Sequence, residues 1–211
     1  MSAAESARIA GDQGSIDVSS LPETTFGHRA VTWWGTLGFM AAEGTTLVIC
    51  AVAYLYLQRN FQTWPPAGTP LPSLTIPTVQ VALMLLSIPV MMWTSRAARR
   101  LDLSRVRIGM VLATLFALVF CILRWFEFRA LHTRWDTNAY GSSAWAIVFA
   151  HATLLVAQFA EGATVTALLC IGPVEPKHLA DVDDSCLYWY FMTGAWVVLY
   201  LLVFVSPRLQ P

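Results

Sequence analysis

A few ionisable side chains lie inside otherwise apolar stretches of this 211-residue sequence. Glu43 is the single charge between Arg29 and Arg59. A carboxylate in the middle of a membrane-spanning helix costs a few kcal/mol, unless it faces protein, a polar lipid group or water, or stays protonated. A later apolar stretch carries three further polar residues, which are His151, Gln158 and Glu161. The first question is therefore which polar groups contact the Glu43 carboxylate.

His151 is the first candidate partner for Glu43, because both residues can lie at a similar depth near the bilayer centre. A neutral imidazole that donates to a carboxylate, or a pair that shares one proton, would lower the cost of burying both groups. In the alternative, each residue bonds neighbours in its own helix or a backbone carbonyl. The sequence leaves both arrangements open.

Two other polar pairs have helical spacing. Gln158 and Glu161 are three residues apart, so they share one helix face and can form a hydrogen-bonded patch between helices. Glu127 follows Arg124 by three residues near the end of another apolar stretch. We expect this second pair to be an exposed ion pair at the outer membrane interface, where such a pair contributes little stability.

The elements that position these residues are predicted by composition and hydropathy. The chain is 56% hydrophobic and 12% charged, and its mean hydropathy is +0.57. A membrane-spanning helix needs about 20 apolar residues, and five stretches meet that length, at about 30–57, 76–95, 108–128, 142–171 and 187–205. We predict an all-α, polytopic membrane protein with a polar, mobile tail over 1–29 and one five-helix domain over 30–211.

The orientation follows from an arginine-rich link between the second and third predicted spans. Short loops rich in arginine and lysine stay in the cytoplasm, so both the link and the N-terminus are predicted to be cytoplasmic and the C-terminus periplasmic. The link contains Arg96, Arg99, Arg100, Arg105 and Arg107. Six tryptophans are predicted to anchor span edges at the interfaces, namely Trp33, Trp34, Trp93, Trp125, Trp145 and Trp189.

The sequence lacks the motifs of a redox or hydrolytic centre. Haem or copper would need several ligands at a common depth, whereas the four histidines, at 28, 132, 151 and 178, lie in four different places. No Ser/His/Asp group, phosphate loop or metal motif is present, and a formal net charge of +0 gives no support to nucleic-acid binding. We therefore expect no catalytic residue, metal or haem in this chain, and any catalysis belongs to a partner.

Several short motifs together resemble subunit III of the haem-copper terminal oxidases, the cytochrome c and quinol oxidase family. The resemblance covers nearly everything after residue 30 and includes a closing aromatic segment, Tyr188 to Phe191. Its motifs, in chain order, are Trp34-Gly35 opening the span that holds Glu43, then Trp64-Pro65-Pro66, then Tyr140-Gly141-Ser142, then His151.

The resemblance implies a role for the chain and for three of its residues. It implies the short five-helix bacterial form, a multi-pass subunit of the inner membrane in aerobic electron transport. Such a subunit has no redox centre, packs against the catalytic haem-copper subunit I and against subunit II, and holds structural phospholipid in a cleft. The family's subunit III is thought to support proton uptake by the catalytic subunit and to protect it from inactivation during turnover. The whole complex is an oxidoreductase and translocase that oxidises cytochrome c or quinol. Glu43, Glu127 and His151 match the family's buried acid, its acid near the end of the third helix and the first of its two histidines.

The sequence departs from the family pattern at three positions, and two alternative functions stay open. The second histidine of the family is Leu154 here, and Tyr190 and Thr193 stand where His and Asp are usual. These losses are compatible with a divergent branch, such as the subunit III-like protein associated with nitric oxide reductases. From another class, a small proton or solute transporter would use Glu43, His151 and Glu161 as its pathway.

Overall fold

The computed structural model describes residues 24–209, and all the regular elements in that range are helices. Five of its helices are long and apolar enough to cross a membrane, which confirms the predicted all-α class and the number of spans. The helices are α1 (Val31–Asn60), α2 (Thr75–Arg99), α3 (Leu103–Ala130), α4 (Ala139–Ile171) and α5 (Pro176–Tyr200). The orientation of the termini stays a prediction.

Short irregular turns flank this bundle. A 3₁₀ turn at Gly27–Arg29 precedes α1, whereas residues 1–23 of the predicted tail lie outside the described residues. A π-helical turn at Leu201–Val205 and a 3₁₀ turn at Ser206–Arg208 prolong α5. Pro89 lies within α2, which continues through it to Arg99.

The last helix is longer than predicted, because α5 begins at Pro176 and not near 187. Proline is favoured at a first helical position, and the Glu175 N–H donates to Nδ1 of His178 at 3.0 Å, which caps the new end. The Lys177 ammonium lies 2.7 Å from the Glu175 carboxylate and lowers the pKa of that acid. Asp181, Asp183 and Asp184, which the predicted span bounds left in a loop, lie instead within this helix.

The other four helices pack around α5. Helix α2 packs against α3 and α5, α3 packs against α4, and α1 packs against α4 and α5. Of the five spans, α5 is the most buried and α1 the least, with 39% and 11% of their most apolar windows buried. Helix α1 therefore keeps most of its apolar surface outside the bundle.

Close approach of α2 and α3 depends on a glycine. A Cβ at Gly109 would lie 2.1 Å from Oγ1 of Thr94, a separation that two non-bonded atoms cannot adopt. Small residues allow helices to approach in this way where lipid supplies no hydrophobic driving force. This contact fixes the register of the two helices near the arginine-rich link.

The predicted orientation can be tested by labelling the two ends of α3 from opposite sides of the membrane. Ser104 lies in the first turn of α3 and is exposed, and Thr137 is exposed beyond its other end. In a cysteine-free background in intact cells, Ser104→Cys should react with an impermeant maleimide only after the membrane is permeabilised, whereas Thr137→Cys should react without it. The reverse pattern would place the arginine-rich link in the periplasm and contradict the predicted orientation.

Candidate functional site

A buried arginine joins α3 to α4 in the interior of the bundle. Arg124 is 3% exposed, and its Nη1 lies 2.6 Å from Oε2 of Glu127, which is 0% exposed. The N–H direction does not align with either carboxylate oxygen, so the contact is an ion pair without a well-formed hydrogen bond. Arg124 Nη2 donates to Nδ1 of His151 on α4 at 2.9 Å.

The geometry assigns the tautomer of His151. A guanidinium has donors and no acceptor, so Nδ1 of His151 must carry the lone pair that accepts from Arg124. The ring proton then lies on Nε2, which donates to the Met192 carbonyl of α5 at 3.1 Å. His151 is therefore the neutral Nε2–H imidazole, and through it α4 contacts α5.

An indole ring completes the surroundings of Arg124. The guanidinium carbon lies 3.6 Å from the centroid of the Trp196 ring, a cation–π contact that stabilises a desolvated cation. The His151 and Trp196 ring centroids are 4.8 Å apart. One cation, one anion and a neutral imidazole give the cluster no net charge, which suits a fully buried position.

Glu43 has a different partner from the one considered first. Its Oε2 accepts a hydrogen bond from the Tyr188 hydroxyl of α5 at 2.6 Å, and the residue is 8% exposed. The contact with His151 does not form. Tyr188 and Met192 are four residues apart, so the two polar contacts on α5 are separated by about one helical turn, roughly 6 Å.

The Arg124–Glu127 pair also differs from its prediction. The pair was expected to be exposed at the interface, but both side chains are buried. The reason is that α4 and α5 cover this part of α3, a tertiary effect that sequence spacing does not reveal. The pair therefore belongs to the core of the bundle.

Gln158 and Glu161 lie at a groove between α1, α4 and α5, here called the inner groove. Gln158 is 6% exposed, and Oε1 of Glu161 accepts from the Ser185 hydroxyl at 2.7 Å. The groove has a volume of about 650 Å³, and its lining includes Asp181 and Asp184. The lining contains three carboxylates and no lysine or arginine.

The residues of the Trp64-Pro65-Pro66 and Tyr140-Gly141-Ser142 motifs lie together at one end of the bundle, apart from Trp34 and Gly35. Trp64 and Tyr140 are buried in an aromatic group with Tyr54, and the Trp64 ring centroid lies 5.3 and 5.4 Å from those of Tyr54 and Tyr140. In the same region Pro65 and Pro66 belong to the loop after α1, and Gly141 and Ser142 follow Tyr140 in α4.

Gly141 and Ser142 both make close contacts with the loop that precedes α4. A Cβ at Gly141 would lie 2.2 Å from the Arg134 carbonyl oxygen, so glycine is required there. The Ser142 hydroxyl donates to the Trp135 carbonyl at 2.6 Å. Trp34 and Gly35 instead lie near the start of α1 and are exposed, and the Trp34 indole N–H donates to the His28 carbonyl at 3.0 Å.

Trp189 is not an interfacial anchor. It is 5% exposed and donates its indole N–H to the Ser87 hydroxyl of α2 at 2.8 Å. Trp34 and Trp125 are 61% and 65% exposed, as an anchor at a lipid interface would be. The difference arises because Trp189 lies on the face of α5 that packs against α2.

Several residues of the site were not singled out from sequence. Gln80 of α2 is 0% exposed, and neither oxygen nor nitrogen of its amide has a partner. Asp183 is 5% exposed and binds Arg99 at 3.0 Å and the Ser95 hydroxyl at 2.6 Å. A glutamine inside an uncharged span is the signal that could have identified Gln80, whereas Asp183 was assigned to a loop.

Within residues 24–209, no three His, Cys, Asp or Glu side chains are arranged to hold a metal ion. The polar contacts instead join helices: Glu43 to Tyr188, Glu161 to Ser185, Ser87 to Trp189, and Arg124 to His151. Chemically, this arrangement can position helices and hold protons or polar ligands.

The fold and these contacts define a class, a multi-pass helical membrane protein whose interior polar residues bridge its helices. No family model matches the chain. The chain is 26% identical over 190 residues to cytochrome c oxidase subunit 3 of Synechocystis sp., and the match covers 85% of this chain and 77% of that protein. The match supports the assignment of this chain to the cytochrome c oxidase subunit 3 family, and with it a subunit III role in a respiratory oxidase.

The buried pair predicts unequal effects of single and double substitutions. Glu127→Leu should lower the stability of the purified chain by about 3–5 kcal/mol, because it leaves the Arg124 cation buried without a counter-charge. Adding Arg124→Leu should restore most of that loss. Thermal unfolding in detergent, followed by tryptophan fluorescence, measures both effects.

Glu161→Gln is the matched control, since Glu161 is an exposed acid and an amide oxygen can still accept from Ser185. It should leave the unfolding temperature unchanged. A double variant as unstable as Glu127→Leu alone would show that the unpaired Arg124 charge is not the cause of the loss.

Proposed function

We propose that this chain is the non-catalytic subunit III of a respiratory haem-copper oxidase in the bacterial inner membrane. In this role it packs against the catalytic subunit, which holds the haems and copper, and contacts subunit II. It carries no catalytic residue. The observation that carries the proposal is the match to a cytochrome c oxidase subunit 3 along most of the chain.

The exposure of α1 supports a role within a larger complex. Val48, Ile49 and Val52 of α1 are 60%, 63% and 57% exposed, as expected of a helix whose outward face meets lipid or another subunit. Its inward face is anchored at Glu43, which contacts α5. A partner could therefore pack on α1 without disturbing the interior polar contacts.

The inner groove supports the lipid part of the proposal. Phe39 and Val165 give it apolar walls, and Glu161 and Asp184 give it a polar lining. An apolar wall with a few polar groups is the usual composition of a binding site for an amphiphile. We propose that structural phospholipid occupies this groove, that the nearby Glu43 has a lipid-related or proton-related role, and that this role supports proton uptake and sustained turnover of the catalytic subunit.

Purification under mild detergent tests the oxidase assignment. We expect a tagged chain to bring with it a larger haem-containing subunit, identified by its mass and by a haem spectrum with an oxidase-type signature. A partner with the spectrum of a nitric oxide reductase would favour the accessory-protein alternative. Proton or solute movement in liposomes that contain this chain alone would overturn the proposal in favour of a transporter.

Substitution of Glu43 tests its role during turnover. Glu43→Gln should leave assembly intact, because an amide oxygen can still accept from Tyr188, but it should change the rate of turnover inactivation or the amount of bound lipid. Tyr188→Phe is the comparison: it removes the same hydrogen bond, at a cost of about 1–3 kcal/mol, and keeps the acid. Unchanged inactivation and lipid content in Glu43→Gln would remove Glu43 from a functional role.

A further inference from the structure

A second groove lies at the opposite end of α4 from the inner groove. It has a volume of about 750 Å³ and is formed by the ends of α3 and α4 and the loops beside them. Its walls are Trp125, Phe128, Trp145 and Phe149, and its rim carries Arg129 and Arg134. We call it the loop groove.

The walls of the loop groove are apolar and largely open to the outside. Trp125 and Phe149 are 65% and 64% exposed. Both lie towards the loop ends of helices that are long and apolar enough to cross a membrane, so their exposed rings face lipid. The volume lies within the range of about 300–1,000 Å³ that is usual for ligand pockets. The walls therefore suit an acyl chain.

The rim lies where a phosphate group of a lipid would lie. Arg129 is the penultimate residue of the α3 span and is exposed, so its guanidinium is at the membrane–water boundary. Arg134 lies in the following loop, 3.0 Å from Asp136. The lining contains no carboxylate, in contrast to the inner groove with its three acids. Arginine pairs well with phosphate oxygens, so charge complementarity selects an anionic headgroup.

Contacts within the chain hold the shape of the loop groove. The Trp145 N–H donates to the Thr133 carbonyl at 2.8 Å, and the Trp145 ring packs on Phe128 with centroids 4.7 Å apart. The two loops at its mouth are joined by a hydrogen bond from Asn138 to Thr69 at 2.8 Å. A site held in this way loses little conformational entropy on binding.

We propose that the loop groove binds one anionic phospholipid of the surrounding bilayer. Its acyl chain lies along Trp125 and Phe149, and its phosphate contacts Arg129. Arg134 contributes less, because Asp136 already pairs with it. This site is separate from the inner groove, and the proposal does not depend on the oxidase assignment.

Native mass spectrometry of the full chain in detergent tests the site. The chain is mixed with equal amounts of phosphatidylglycerol and phosphatidylcholine that have the same acyl chains. Wild type should retain phosphatidylglycerol in preference. Arg129→Gln should lower its retention about fivefold, the effect expected of one basic residue near a lipid surface. Equal retention by wild type and Arg129→Gln, or of the two lipids by wild type, would overturn the proposal.

Three further variants separate the parts of the site. Arg59→Gln is the matched control, because Arg59 is an exposed arginine at the end of α1 outside the groove, and it should retain lipid as wild type does. Asp136→Asn should raise phosphatidylglycerol retention by releasing Arg134. Phe149→Ala should lower retention of both lipids.

Two results would point to other occupants. If Phe149→Ala has no effect and inorganic phosphate displaces the lipid, the site binds an anion and no acyl chain, and the proposal is wrong. If Arg129→Gln loses a co-purifying subunit while lipid retention is unchanged, the groove is a protein interface, and the proposal is again wrong.

Discussion

The stability of the bundle depends on a counter-charge and hydrogen-bond acceptors for one buried cation, the guanidinium of Arg124. A charge taken out of water must be paired and hydrogen-bonded, or it destabilises the fold by several kcal/mol. Glu127 supplies the counter-charge, His151 accepts a hydrogen bond, and the ring of Trp196 covers the guanidinium. Because these residues come from α3, α4 and α5, the requirements of one side chain determine how three helices meet.

Helix α5 is the element on which the other polar contacts converge. Each of the remaining four helices reaches it: α1 through Glu43, α2 through Ser87, α3 through Arg124 and α4 through His151. These contacts occur at successive turns of α5, so a sliding movement of any one helix past α5 would break its contact. In lipid, where apolar packing between helices has no hydrophobic driving force, such contacts contribute to a defined arrangement.

The two grooves differ in charge, although both have apolar walls. The inner groove contains Glu161, Asp181 and Asp184 without an arginine or lysine, and the loop groove has Arg129 and Arg134 without a carboxylate. Because they lie at opposite ends of α4, the protein presents different headgroup environments to the two leaflets. If phospholipids occupy both grooves as proposed, the headgroups at the two ends of α4 meet lining residues of opposite charge.

Hydropathy was enough to predict the five spans, since a helix that crosses a membrane must be apolar over about 20 residues wherever its neighbours lie. The same reasoning identified Glu43 and His151 as residues that need partners. It could not select those partners. Tyr188 contacts Glu43 because of the depth and rotation at which α5 packs on α1, and Arg124 contacts His151 because of those at which α3 packs on α4. Hydropathy also began the last helix too late, because the acid Asp183 lowers the hydropathy of its first turns but is paired with Arg99 of another helix. Local composition decides which segments enter the membrane, whereas contacts between residues far apart in the chain decide which polar groups meet, and only packed helices define those contacts.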